Sequence, residues 1–494
     1  MNDVHNKDLN DALKFHFGHD DFRLGQKEII ESIMNGYDTL ATLPTGSGKS
    51  ICYQLPALLG EGITIVVSPL ISLMVDQVKL LKAEGIKRVA ALNSLMDPKQ
   101  KSVVLNQLNQ YKILYCSPEM LQQQHVTERL SLMKIDYLVI DEAHCISQWG
   151  HEFRPDFLRL KDVIRQLDHP TVLALSATAT PAIQEDIMKQ LEIDMNKLIY
   201  PIDRPNITFS VSEIPSEEKL AHLIDILEHK KVPTMIYFSS RKMSEFVCRS
   251  LQKEFPDREV AFYHGGMEQQ DRLLIQQQFM HDQLDIICCT SAFGMGVNKG
   301  NIRLVIHYHM PPTIESLIQE VGRAGRDGQP SVSIVLYSPG DEGLPFQLIQ
   351  SELPSENEVE FYLNGRESGQ NPEEFLDESK IRFLRLQDEQ IKPFERIGDK
   401  KQAIMEYRNE RERVKSNGVL QLLEWIQTSS CRRTELYSLF QNNVMPASAA
   451  CCDRCDFSLH EWQNLREEER RQQTSFQDNW VSLLEQLLDR KVQS

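Results

Sequence analysis

The stretch "LATLPTGSGKS", residues 40–50, sets the terms for reading the rest of the chain. The glycines of "GSGKS" allow successive backbone N–H groups to turn inward around an anion, as phosphate-binding loops require. Thr45, Gly46, Ser47 and Gly48 would form the cradle, Lys49 would reach the β- and γ-phosphates, and the Ser50 hydroxyl would ligate Mg²⁺. One position departs from the usual G-x-x-x-x-G-K-S pattern: its first glycine is Leu43 here. A second stretch, "YLVIDEAH" (137–144), supplies what such a loop needs. An apolar strand ending in Asp141 and Glu142 puts two carboxylates where α/β sheets hold their ligands. Asp141 suits Mg²⁺, and Glu142 suits orienting or deprotonating an attacking water. Phosphate loop and cation-binding carboxylate are needed together, so the pair predicts ATP hydrolysis. A third element, "QEVGRAGRDG" (319–328), carries Arg323 and Arg326, three apart and therefore on one face if helical. Two guanidinium groups at a domain edge suit the charge that develops on a transferred phosphoryl group.

"TIVVSP", "KILYCSP", "YLVIDEAH", "TVLALSAT", "TMIYFSS", "IICCTS", "RLVIHY" and "SVSIVLY" read as buried strands alternating with amphipathic segments. That alternation predicts α/β folding with parallel sheets. So many strands exceed one unit, and the turn-rich "IDRPNITFS" (202–210) divides them into domains over 1–205 and 206–340. The strand pattern then stops. Residues 341–380 hold eleven acidic residues against two basic ones, nine of the 17 units of net negative charge, and 341–400 read as a solvated linker with short helices. Helical segments and clustered cysteines follow over 401–460. The tail 461–494 has Trp480, Leu483, Leu484, Leu487 and Leu488 at the spacing of one amphipathic helix. The negative net charge does not exclude a nucleic-acid partner, because local clustering builds a phosphate-binding surface. The polar N-terminus lacks an apolar core for a signal sequence, and the longest apolar run is too short to span a bilayer. A cytoplasmic protein with mostly reduced cysteines is expected.

Together, Lys49, the "DEAH" box, "LSATAT" (175–180), "AFGMGVNKGNIRLVIHY" (292–308) and "QEVGRAGRDG" occur in the order of superfamily 2 helicases. The chain resembles the RecQ DNA helicases in particular, through "FGHDDFRLGQKEII" (17–30) ahead of the phosphate loop and the aromatic-rich "CISQWGHEFRPDFLRL" (145–160) after the DEAH box. The resemblance is dense over 10–340 and looser to about 455. It implies two tandem RecA-like domains with ATP between them, Gln26 reading the adenine edge with Arg23 beside it, and Arg323 and Arg326 arriving from the second domain. It also implies 3′-to-5′ translocation on single-stranded DNA and unwinding of duplex or forked DNA, in repair or recombination alongside single-strand-binding and recombination proteins. A bacterial member would be associated with the nucleoid. "LSATAT" would link cleft motion to DNA grip. Trp149, Phe153 and Phe157, with Arg154 between the phenylalanines, offer stacking faces for unpaired bases and a cation for the backbone; the competing reading is core packing. His264 in "YHGGM" reads as a packing or hydrogen-bonding residue rather than a catalytic one. An RNA helicase on the same motor, and a DNA-binding or annealing scaffold with a regulatory ATPase, are the rival readings.

Of the ten cysteines, Cys431, Cys451, Cys452 and Cys455 lie outside the motor in a region poor in strands. Four thiolates there suit tetrahedral Zn²⁺, which lends folding energy to a weakly cored subdomain. The spacing C-x19-C-C-x2-C is unusual, with Ser458 where many RecQ proteins have a cysteine, and His460 is a substitute ligand should Cys451 point away. "CRRTELYSLF" (431–440) resembles the helix that carries the first RecQ zinc ligand. Only 39 residues follow Cys455, so a short form without winged-helix and helicase-and-RNase-D C-terminal domains is expected.

Overall fold

In the computed structural model, residues 2–147, 154–294, 299–368, 372–390, 397–441, 443–447 and 450–464 are described. The first sheet contains β1 (Thr39–Thr42), β2 (Ile63–Val67), β3 (Val89–Leu92), β4 (Ile113–Cys116), β5 (Ile135–Ile140), β6 (Thr171–Ser176) and β7 (Asn196–Ile199). Its order is β3-β4-β2-β5-β6-β1-β7, and every pairing is parallel. The second sheet contains β8 (Ile207–Glu213), β9 (Thr234–Tyr237), β10 (Val260–Tyr263), β11 (Ile286–Cys289), β12 (Leu304–His307) and β13 (Ser331–Tyr337). It is also parallel, in the order β10-β11-β9-β12-β13-β8. Central strands such as β2, β4, β11, β12 and β13 are buried along their whole length. Helices cover both sheet faces, which is why these strands read as continuous apolar runs rather than alternating ones. The eight runs picked out in the sequence all fall in strands, and the five further strands are short or polar: β1, β3, β7, β8 and β10.

In the first sheet, β6 lies between β5 and β1, with Thr42 opposite Ser176 and Ile140 opposite Ala174. The loops after these three strands therefore emerge side by side. They are the phosphate loop, the DEAH segment and "LSATAT".

The acidic stretch has the expected helices, but they pack around a core of their own rather than forming a solvated linker. It forms the helices Gly343–Glu352, Glu356–Ser368 and Glu378–Gln390, followed by the 31-residue helix Ile397–Gln427. Val359, Tyr362, Leu363, Leu384 and Ile404 form a small buried cluster among them. Lysines answer the acids: Lys380 pairs with Glu358 at 2.8 Å, and Lys401, beyond the acidic stretch, with Glu356 and Glu360 at 3.0 and 2.9 Å. The far end of the long helix packs Val419, Leu422, Trp425 and Ile426 into the core of the second sheet, beside Tyr437 and Cys452.

Strand β8 would be an open edge of that sheet. The cysteine loop closes it: Phe209 N donates to Cys451 O at 3.3 Å, and Asp453 N donates to Phe209 O at 3.0 Å. An edge strand covered this way loses its tendency to pair with other chains. Among the described residues no helix is long and apolar enough to cross a membrane. The expected tail helix lies outside the described residues.

Candidate nucleotide cleft and cysteine cluster

A cavity of about 840 Å³ opens between the two sheets. Gln26, Lys49, Ser50, Asp141 and Glu142 line one side, and Arg323 and Arg326 the other. Arg23, Thr45, Gly46 and Gly48 also reach its wall, whereas the Ser47 hydroxyl is buried without a hydrogen-bond partner. Gly46 and Gly48 have φ of +83° and +78°, a backbone region that favours glycine. Close approach adds a second reason. A Cβ at Gly46 would lie 2.9 Å from Arg326 Cγ, and one at Gly48 would lie 2.8 Å from Gln26 Nε2. Leu43 is fully buried in the apolar core, and its N–H is bonded to Ser176 O at 3.2 Å. The position where the pattern has its first glycine therefore lies just past the end of β1, packed into the core rather than in the cradle. Ser50 begins the helix Ile51–Leu59 without making a side-chain cap, leaving its hydroxyl for other ligands.

Gln26 is buried, and its amide donates to Ser47 O and Gly48 O, both at 3.0 Å, while its Oε1 accepts from Arg23 N. Arg23 Nη1 donates to Gly46 O at 2.9 Å. Both residues thus brace the loop from the side expected to face adenine. Burial, with Glu142 beside it, pushes Asp141 up to about 6, and Lys49 opposes the shift. Glu142 has left-handed backbone angles (φ 51°, ψ 49°), uncommon for a residue with a side chain. Its N–H donates to Asp141 Oδ1 at 3.0 Å, and its Oε2 is buried without a hydrogen bond, 3.5 Å from His144 Nδ1. His144 Nδ1 lies 3.1 Å from Ser176 Oγ, which accepts from Thr178 N, so the DEAH segment and "LSATAT" are physically joined.

The helix Ile314–Val321 ends before the arginines, so Arg323 and Arg326 share a glycine-flanked turn, not a helix face. Arg323 is buried and donates to Gly294 O. Burial, with Arg323 and Arg204 nearby, brings Arg326 down to about 9. Crowded cations facing Lys49 across a cleft form a site that a polyphosphate would relieve.

The aromatic loop divides. Trp149 and Phe153 lie outside the described residues. Arg154 donates through Nη1 to Pro69 O at 2.7 Å. Phe157 is a correction: it is fully buried in the first-sheet core with Leu160 and Ile164 and has no face for a base. His264 is bonded to Glu245 at 3.0 Å and stacked on Phe262, a packing role as expected.

Cys431, Cys451, Cys452 and Cys455 bring their sulfurs within 4.8 Å of one another. Neighbouring sulfurs are 3.6 Å (431–451), 4.0 Å (431–452) and 3.5 Å (452–455) apart. Zn–S bonds of about 2.3 Å at tetrahedral angles place sulfurs about 3.8 Å apart, so the set fits that ion. Cys451 faces inward, and His460 is not in the cluster. None of the ten cysteines forms a disulfide.

The family model "DEAD/DEAH box helicase" matches residues 23–187, and "Helicase conserved C-terminal domain" matches 218–328. The "Probable ATP-dependent DNA helicase RecS" of Bacillus subtilis is 42% identical over 97% of both chains. The chain belongs to the RecQ family of superfamily 2 DNA helicases. "ATP-dependent DNA helicase RecQ" of Haemophilus influenzae is 43% identical over 67% of this chain, which spans 53% of that protein. Among solved structures, Mycobacterium smegmatis helicase Lhr bound to single-stranded DNA and AMP-PNP aligns at a TM-score of 0.57 and 22% identity, over 68% of this chain and 48% of Lhr, a likeness of fold.

Sequence reasoning missed one residue that stands behind this RecQ-family cleft. Arg204 follows β7, in the segment read only as a boundary. Its Nη1 donates to Thr45 O at 2.9 Å, and its Nη2 to Gly325 O at 2.6 Å. The one available signal was an arginine inside a turn-rich linker.

Proposed function

We propose that this chain is an ATP-dependent 3′-to-5′ DNA helicase that moves on single-stranded DNA and unwinds duplex or forked DNA in repair or recombination. The observation that carries the reading is the two-sided cleft, with Lys49 and two carboxylates facing Arg323 and Arg326 of the other sheet. Thr45, Gly46 and Gly48 hold the phosphates, Ser47 supports the cradle, and Gln26 and Arg23 edge the base. Ser50 and Asp141 are the residues that would hold Mg²⁺, which when bound neutralises charge on the β- and γ-phosphates. Glu142 accepts the proton of the attacking water as the new O–P bond forms and the bond to the ADP oxygen breaks. Lys49, Arg323 and Arg326 meet the charge that moves onto the transferred group and ADP. Because these groups belong to different sheets, hydrolysis removes what holds the cleft shut, and the lobes separate. Cys431, Cys451, Cys452 and Cys455 would hold Zn²⁺ as a structural ion that secures the loop over β8. Trp149, Phe153 and Arg154 remain the proposed DNA contacts. A reducing, cytoplasmic setting, in which these cysteines stay available to the metal, completes the reading.

Strand displacement on 3′-tailed duplexes, DNA against RNA, tests the reading with wild type and Lys49→Ala. Unwinding of DNA by the wild type alone is expected. Wild-type rates from Lys49→Ala would refute it.

A further inference from the structure

We infer that Arg204 is a positioning residue that sets the arginine turn against the phosphate loop, and that the cysteine subdomain holds Arg204 in place. Arg204 does not line the cavity, so it works from behind the loop. One guanidinium serves two segments. Nη1 donates to Thr45 O at 2.9 Å and Gly322 O at 3.4 Å, and Nη2 to Ala324 O at 3.3 Å and Gly325 O at 2.6 Å. Asn206 Nδ2 adds bonds to Gly325 O and Gln329 O at 2.9 and 2.8 Å. Three of the four Arg204 bonds thus go to the arginine turn and one crosses to the phosphate loop. When the cleft opens, the Thr45 bond is the one that breaks. A planar five-donor fork can serve carbonyls on both sides at once, and a lysine ammonium cannot reproduce that geometry.

The backbone of Arg204 is gripped from the other side. Arg433, itself buried, donates through Nη1 to Arg204 O at 2.9 Å and through Nη2 to Ile207 O. It stands two residues after Cys431, in the helix Arg432–Tyr437. The same segment is held again where Thr208 Oγ1 donates to Ala450 O at 2.6 Å and Phe209 pairs with the Cys451–Asp453 backbone. An unbroken set of contacts therefore runs from the four thiols, through Arg433 and Arg204, to Thr45 and the turn bearing Arg323 and Arg326. A shift of about 1 Å in catalytic groups costs on the order of 100-fold in rate, and this chain of bonds fixes two of them.

The inference rests on the ATPase reading of the cleft, so Lys49→Ala accompanies the test. Zinc-loaded full-length protein is assayed for turnover at saturating single-stranded DNA and titrated at equilibrium with a fluorescent ATP analogue. Arg204→Lys and Arg204→Gln should lose about 10- to 100-fold in kcat while nucleotide affinity and zinc content stay within about twofold. Arg433→Gln, which leaves the Arg204 guanidinium but loosens its backbone, should fall in the same direction by less. Should Arg204→Gln fail to fold, Arg204→Lys carries the test. Turnover of Arg204→Lys within about twofold of wild type, or a loss confined to nucleotide affinity, overturns the inference. Wild-type turnover in Lys49→Ala would overturn the ATPase reading instead.

Discussion

Phe157 separates two accounts of the segment after the DEAH box, and substituting it distinguishes them. The side chain is fully buried among Leu160, Ile164 and neighbouring apolar groups of the first-sheet core. Truncating a buried phenylalanine costs about 3–5 kcal/mol, from lost transfer energy and the cavity left behind. In a domain of this size each kcal/mol moves the melting temperature by about 2–4 °C, so Phe157→Ala should melt roughly 10 °C lower. Phe157→Leu keeps most of the volume and should cost less than about 1.5 kcal/mol. The assay pairs thermal unfolding with basal and DNA-stimulated ATPase, normalised to the folded fraction. For a core residue, Phe157→Ala loses basal and stimulated activity together as the fold loosens, and Phe157→Leu keeps stimulation within about twofold. A stacking platform behaves differently, since base–aromatic stacking is worth about 1–3 kcal/mol and leucine has no π-face. Loss of most stimulation in Phe157→Leu, with basal activity and melting unchanged, would refute the core assignment.

Glu142→Gln should retain ATP binding and lose about 100- to 10,000-fold in turnover, as removal of a general base does; turnover within tenfold of wild type would exclude that role. Metal analysis should find about one zinc per chain, and chelation should lower stability by about 4 kcal/mol if zinc had been at about 1,000 times its dissociation constant; metal-free protein with unchanged melting would show that the thiols alone suffice. Lys219 is buried and donates to Tyr308 O at 3.0 Å, Leu336 O at 2.9 Å and Asp341, so Lys219→Met removes the cation and leaves the Asp341 carboxylate to the Ser338 N–H at 3.0 Å. That variant should lose about 3–5 kcal/mol in denaturant unfolding of the second lobe, and a loss under 1 kcal/mol would mean that water reaches Asp341.

How much of this architecture can be read from the chain depends on how far apart the cooperating residues lie. The phosphate loop and DEAH segment are legible because their chemistry is local: glycines, lysine and serine within five positions, carboxylates at the end of one apolar strand. The four thiols are legible for a related reason, since cysteine is rare and three of the four fall within five residues. Arg204 is not legible, because its partners come from residues 45, 322–325 and 433, and none of those distances leaves a periodic trace. The helices of the acidic stretch are legible, but their packing is not, because the charge of residues 341–380 looks unanswered until Lys401, beyond them, pairs with Glu356 and Glu360. Phe157 fell to an ambiguity of a different kind. An aromatic residue near a candidate DNA loop has the same letter whether it stacks on a base or on leucine, and only the backbone's path decides. Here the turn after Arg154 carries it inward, with Phe157 N bonded to Arg154 O at 3.0 Å. Arg154, at the start of the same turn, is half-buried, its guanidinium held by Pro69 O. One short turn thus separates two candidates three positions apart, burying Phe157 and leaving the DNA-contact proposal to rest on Trp149, Phe153 and Arg154.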